Sequence, residues 1–300
     1  MKRILVTGAG GMTGSEVCEQ ATAAGWIVLP LSHADADITD SRLLADATRK
    51  FRPDVVVNAA AYTAVDRAES EPDVAMAVNR DGARNVASAA ASAGAPLIHI
   101  STDYVFNGEG RIPYDPDART GPVGVYGKTK LAGEAAVADE NPSHVIVRTS
   151  WLFSHRGSNF VRTMLRLGAE RDELRVVDDQ VGRPTSSTDL ATALLKVAGA
   201  IADNPTLAGV YHFANAGETS WFGFAEEIFE QAKSLGERHV PRVVPIPTSE
   251  FPTPARRPAY SVLDTTSFSK RFAVEPRSWQ SAVRETVALT LRNSLARADT

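Results

Sequence analysis

The chain has 300 residues, 43% of them hydrophobic and 23% charged, with a formal net charge of −4, enough for one large α/β domain or two smaller ones. Acidic and basic residues are interspersed, which leaves no electrostatic footprint for nucleic acid or for an anionic membrane surface. The single cysteine, Cys18, excludes an internal disulfide; with no Cys/His metal cluster and no apolar run of signal-peptide or membrane-spanning length, a reducing, cytoplasmic location is expected.

The first predicted strand, "RILVTG", runs into "VTGAGGMTGSEV", where Gly8, Gly11 and Gly14 recur at three-residue spacing with an extra Gly10. A helix is expected over residues 13–24. Strand, glycine turn and helix start together make the setting of a dinucleotide fingerprint. Glycine permits the tight turn and close backbone approach, and the helix N-terminus, with Met12 and Thr13 in its first turn, offers unpaired N–H groups to a pyrophosphate.

The second strand, "WIVLPL", bears on which nicotinamide cofactor is used. A carboxylate at its end bonds the ribose 2′-hydroxyl and repels a 2′-phosphate. None stands near Leu31 and Ser32, and His33 follows, which favours NADPH and leaves NADH open. Asp37 and Ile38, a little later, are placed to flank the adenine.

Helices over 41–51, 72–94 and 126–140 then alternate with the apolar runs "DVVVNAA", "PLIHIST" and "HVIVRTS". Such alternation implies a parallel sheet buried on both faces, a Rossmann-like doubly wound α/β fold. Residues 1–150 are expected to form an NADP(H)-binding domain and 151–300 mainly a smaller α+β substrate lobe, with segments of 174–214 open to return to the sheet. In that second part "NFVRTMLRLGAERDELRVV" reads as a helix and a strand. "QVGRPTSSTDLATALLKVAG" reads as a loop and a capped helix.

The fourth strand ends at Thr102, at the carboxyl edge where parallel sheets place their sites. Downstream, "VGVYGKTKLAG" sets Tyr126 and Lys130 at i and i+4 on one helix face, while Lys128 points elsewhere. A phenol with a pKa of about 10 exchanges its proton poorly at neutral pH unless a cation stands near it. Lys130 supplies one, and Thr102 can offer its hydroxyl to a carbonyl oxygen beside the phenol.

With the glycine turn, the threonine and Tyr-x-x-x-Lys in this order, the chain resembles the extended short-chain dehydrogenase/reductases. The resemblance implies that Thr102 orients a carbonyl, that Tyr126 donates a proton, and that Lys130 lowers the phenol pKa and holds the nicotinamide ribose. It extends over nearly the whole chain through "NAAAYTAVDRAE", "STDYVFNG", "RTSWLF", "NFVRTML", "DDQVGRPTS" and "PTPARRPAYSVLDT". These segments are similar to members that reduce a dTDP-linked 4-keto-6-deoxy sugar at C4 with NADPH. By that resemblance Ala60, Ala61 and Thr63 line the cofactor, and Tyr104, Val105, Trp151 and Asn159 approach the sugar nucleotide. The guanidiniums of Arg183, Arg256 and Arg257 suit its diphosphate.

Some members bind magnesium through glutamates at a dimer interface. Glu16 stands at one such position but Asp189 replaces a second, so the metal is not expected, and monomer and homodimer both stay open. Members that dehydrate sugar nucleotides carry an acidic pair after the threonine. Here Asp103 is followed by Tyr104, which favours simple hydride transfer. A reductase giving the C4 epimer, or acting on another nucleotide-linked 4-keto sugar, is an open alternative. So is a non-catalytic NADP-binding role like that of the regulatory subunit of methionine adenosyltransferase, against which the intact Thr102, Tyr126 and Lys130 set argues.

Overall fold

The structure is a computed structural model and describes residues 1–298. Strands β1 (Arg3–Thr7), β2 (Ile27–Leu31), β3 (Val55–Asn58), β4 (Leu97–Thr102) and β5 (His144–Thr149) fall on the five apolar runs. All but β2 are almost wholly buried, as runs of Val, Ile and Leu require when helices cover both faces. Helices α1 (Met12–Ala23) and α2 (Ser41–Phe51) follow the first two strands. Asp40 caps α2, its carboxylate accepting from Arg42 N at 2.9 Å and Leu43 N at 3.2 Å.

A short helix α3 (Val65–Ala68) leads to the stretch expected as one helix over 72–94. It is instead α4 (Pro72–Met76), a π-helical turn Ala77–Gly82, and α5 (Ala83–Ser92). The widened turn carries Asn79, whose Nδ2 donates to Tyr62 O at 3.1 Å and to Thr129 Oγ1 at 3.0 Å. Through Asn79 the loop after β3 is tied to α6 (Val125–Glu140). Such turns recur where a helix must serve a site.

Beyond β5 the chain leaves the sheet through β6 (Leu152–Phe153), α7 (Phe160–Glu170), β7 (Glu173–Val177), β8 (Val181–Gly182) and β9 (Thr185–Ser186). It returns through α8 (Ser187–Asp203) and β10 (Gly209–His212), and the parallel sheet has the order β10-β5-β4-β3-β1-β2. Leu190, Leu194 and Val197 of α8 share a core with Ile4, Val57 and Val145. The remaining elements are β11 (Thr219–Ser220), α9 (Trp221–Ser234), β12 (Arg242–Ile246), α10 (Thr266–Phe272) and α11 (Trp279–Ala298). β12 pairs with β7, and a second core gathers Phe153, Val161, Phe224, Ile228 and Val283.

From β1 the chain steps to β2 on one side and then to β3 on the other. That reversal opens a crevice above the carboxyl ends of β1 and β3, where doubly wound sheets bind ligands. No helix among the described residues is long and apolar enough to cross a membrane.

Candidate active site

The turn after β1 is built for close approach. Gly8 has φ +70°, and a Cβ there would lie 2.5 Å from Ala60 N; a Cβ on Gly14 would lie 2.2 Å from Gly8 O. Gly11 N donates to Gly8 O at 2.9 Å, and Gly11 caps α1 without any side-chain hydrogen bond. The first-turn N–H groups of α1, at Met12 and Thr13, therefore have no side-chain acceptor. A helix start left open in this way fits a pyrophosphate. On the facing strand Asn58 Oδ1 accepts from Thr7 Oγ1 at 2.8 Å and from Ala60 N at 3.1 Å, which fixes the loop after β3.

A cavity of about 330 Å³ opens at this edge of the sheet, and Gly11, Met12, Thr13, Ala61, Thr63, Thr102, Tyr104, Tyr126, Lys130 and Trp151 all line it. Lys130 is 2% exposed. Its Nζ donates to Ile100 O at 2.7 Å. Burial pulls this ammonium down to about 8, with the charge of Glu134 acting in the opposite direction. Glu134 itself is held by Arg148, Nε to Oε1 at 2.9 Å and Nη2 to Oε2 at 2.7 Å, and by Ser101 Oγ at 2.5 Å.

Desolvation pushes the Tyr126 phenol up to about 12; a hydrogen bond with Thr102 lowers it and the charge of Asp103 raises it. The phenol is thus raised, where the resemblance implied that Lys130 would lower it. Burial dominates, and the ammonium is turned to the carbonyl of Ile100. Thr102 Oγ1 accepts from Tyr104 N at 3.2 Å and donates to Asp103 Oδ1 at 3.0 Å. Asp103 is 2% exposed, and burial raises its carboxyl to about 6. The Tyr104 ring meets that of Tyr126 edge-on, centroids 5.5 Å apart.

Trp151 holds φ +47°, a left-handed conformation that costs a bulky residue about 1–3 kcal/mol and persists only where the surroundings impose it. They do so here. The indole stacks on Trp221 at 3.7 Å and lies against Gly182, while Trp151 O accepts from Thr185 N at 3.2 Å. Ser150 Oγ donates to Arg183 O at 2.7 Å. Arg183 lies outside the cavity lining, with a buried Nε that makes no hydrogen bond.

Several residues expected at the site do not line this cavity. Val105 is fully buried against Phe106 and Leu263, and its carbonyl accepts from Gly121 N at 2.9 Å. Asn159 caps α7 and donates to Ser154 O at 2.8 Å and Arg156 O at 3.0 Å, and the same Nδ2 lies 3.5 Å from Sδ of Met12 in the cavity wall. Arg257 grips Asp66 with two bonds of 3.0 Å and donates to Thr253 Oγ1 at 2.7 Å; Arg256 is exposed. Ala60 backs Gly8, and Ile38 packs in the core with Leu44 and Val86. Asp37 accepts from Thr39 N and Oγ1, both at 2.9 Å. Glu16 is buried with His155 Nδ1 3.7 Å away, whereas Asp189 is taken up by Arg277 Nε at 2.8 Å and Asn215 Nδ2 at 2.7 Å.

Two residues that local pattern did not single out belong to the neighbourhood. Glu134 lies one helical turn beyond Lys130 on the same face, a spacing legible in "YGKTKLAGE". Asp35 folds back on the end of the second strand: its Oδ2 accepts from Ser32 N at 2.9 Å and from Ser32 Oγ at 2.6 Å.

The family model of the RmlD substrate binding domain matches residues 1–291. The dTDP-4-dehydrorhamnose reductase of Sinorhizobium fredii is 44% identical over 95% of this chain and 96% of its own length. A solved dTDP-4-dehydrorhamnose reductase from Clostridium acetobutylicum superposes with a TM-score of 0.89 at 42% identity, covering 96% of this chain and 99% of its own. Another, from Bacillus anthracis in complex with NADP, gives a TM-score of 0.89 at 38% identity over 95% of this chain and 99% of its own.

A methyl group at residue 14 would be driven into Gly8 O. Gly14→Ala is expected to cost about 1–3 kcal/mol of stability and to weaken NADP binding. Thermal unfolding and isothermal titration with NADP check this; unchanged values for both would show that the turn has room to spare.

Proposed function

The chain belongs to the RmlD substrate binding domain family, and we infer that it reduces the C4 ketone of dTDP-4-dehydrorhamnose, giving dTDP-L-rhamnose, with NADPH as reductant. The observation that carries this reading is one cavity in which Thr102, Tyr126 and Lys130 meet beside the open start of α1. The roles that follow are assigned on that geometry.

Gly11, Met12 and Thr13 would receive the cofactor's pyrophosphate at the start of α1, with Ala61 and Thr63 along its flank. Bound NADPH supplies the hydride that C4 takes up. Tyr126 gives its proton to the ketone oxygen; its high pKa keeps it protonated across the neutral range, as a donor must be. Thr102 orients the same oxygen, which requires its hydroxyl to turn from Asp103 Oδ1 toward the substrate. Lys130 is the one cation among the described residues lining the cavity. Facing opposite charge across about 4 Å at an effective dielectric of about 20, such an ammonium contributes about 4 kcal/mol. That favours the transition state, in which the oxygen becomes negative, over the neutral ketone.

The nucleotide's remote binding energy positions the sugar ring. With Arg257 engaged by Asp66, Arg183 is the better choice for the diphosphate, since its buried Nε lacks a partner. Tyr104 and Trp151 form the wall against the sugar. The thiol of the unpaired Cys18, which burial pushes up to about 11, suits a reducing compartment, and we place the protein in the cytoplasm.

Tyr126→Phe is expected to lower kcat by about 10²–10⁴-fold while the Kd for NADPH stays nearly unchanged, because one hydroxyl is lost at the chemistry and none at the pyrophosphate. Stopped assays and nucleotide titration measure the two quantities separately. Wild-type kcat in this variant would remove Tyr126 as the donor.

The lysine gives the reaction a pH dependence of definite sign. Lys130 is charged below about 8 and neutral above it, so turnover should fall as the pH rises through that value. Lys130→Arg, which keeps its charge, should carry whatever activity remains to higher pH. A descending limb at the same pH in both proteins would assign it to another group.

A further inference from the structure

The segment after β2 contains no lysine or arginine between residues 31 and 40; its titratable groups are His33, Asp35, Asp37 and Asp40. Two of the acids are engaged away from the strand end. Asp37 accepts from Thr39 N and Oγ1, with His33 Nδ1 3.9 Å from its other oxygen, and Asp40 caps α2. Asp35 alone is folded back. Its N–H donates to Ser32 O at 3.1 Å, and Oδ2 accepts from both Ser32 N and Ser32 Oγ.

This strand end abuts the glycine turn. Ala9 N donates to Leu31 O at 3.1 Å, and a Cβ on Gly10 would touch Ser32 Cβ at 3.7 Å. In a dinucleotide fold that is the place of the adenosine ribose. The two bonds from Ser32 hold the carboxyl below its usual range, so it is ionised at neutral pH. One Asp35 oxygen is left with no bond within the turn.

We propose that Asp35, anchored by Ser32, sets the choice between NADH and NADPH in this chain: its carboxylate bonds a ribose 2′-hydroxyl and repels a 2′-phosphate. The inference rests on the nicotinamide-dependent reading of the site and adds to it the residue that tunes the cofactor. Because Asp35 is exposed, its repulsion is open to screening by salt. The segment allows both cofactors to bind while taxing the phosphorylated one.

The test is the dissociation constant of NADPH and of NADH, read by nucleotide fluorescence on the protein without any sugar substrate. Asp35→Asn keeps the shape of the turn and removes the charge. It should tighten NADPH relative to NADH by about tenfold at low salt, and the gain should shrink as salt is added. Ser32→Ala should move the ratio in the same direction, less far, by freeing the carboxylate. An unchanged ratio in Asp35→Asn overturns the proposal, as does an equal loss of both nucleotides, which would make Asp35 only a builder of the loop. If the unaltered protein binds neither nucleotide, the cofactor reading beneath the proposal falls as well. A protein that binds both nucleotides but fails to reduce the dTDP-linked ketone would leave this result standing and contradict only the substrate.

Discussion

Tyr126, Lys130 and Glu134 lie at successive four-residue steps on one face of α6, and the bond from Lys130 Nζ to the carbonyl of Ile100 presses that face onto the end of β4. The rest of the site depends on this contact. An ammonium removed from water must be bonded or it will lose its proton, and a charge-assisted hydrogen bond to a backbone carbonyl contributes about 1.5–3 kcal/mol. One step further, Glu134 joins the same helix to β4 through Ser101 and to β5 through Arg148. Removing one partner of such a buried pair typically costs about 3–5 kcal/mol. The helix that carries the phenol is therefore fixed against the strand that carries Thr102, and both hydroxyls are presented to one cavity without help from a flexible loop.

The electrostatics of this arrangement differ from a simple lysine-activated tyrosine. Desolvation raises the phenol and lowers the ammonium, which brings the two groups' proton affinities apart from their values in water. A phenol held protonated is suited to giving its proton to an oxygen that becomes negative, and a lysine still charged at neutral pH is suited to meeting that negative charge. Both properties follow from one cause, the dry wall between α6 and β4. Asp103 shares that wall. Its carboxyl, raised to about 6 by burial, accepts a hydrogen bond from the Thr102 hydroxyl.

Much of this was legible in the sequence, and the limits are instructive. The five strands, the glycine turn and the Tyr-x-x-x-Lys face depend on runs of Val, Ile and Leu, on close backbone approach and on a four-residue period, all of which are local. What could not be read depends on partners far apart or on turns. Arg257 meets Asp66 across 191 positions, and no spacing announces that its donors are already committed. Val105 stands beside the cavity residue Tyr104, yet the 3₁₀ turn Asp103–Val105 carries its side chain into the core. Asn159 caps α7, a role that its segment alone does not announce. Asp35 lies beyond the apolar run that marks the strand, and only the turn closed on Ser32 brings it back beside the strand end. The π-helical turn at Ala77–Gly82 likewise left no mark in a stretch whose composition is helical throughout.

The central claim is that this wall directs a hydride and a proton to the C4 carbonyl of a dTDP-linked sugar, and the product reports on it most directly. The protein should be incubated with NADPH and dTDP-4-dehydro-L-rhamnose, and the configuration at C4 read from the proton couplings of the sugar ring by NMR. The account predicts dTDP-L-rhamnose with one NADPH oxidised per sugar. The C4 epimer would contradict the inferred product, and an unreduced ketone beside unconsumed NADPH would contradict the reaction itself.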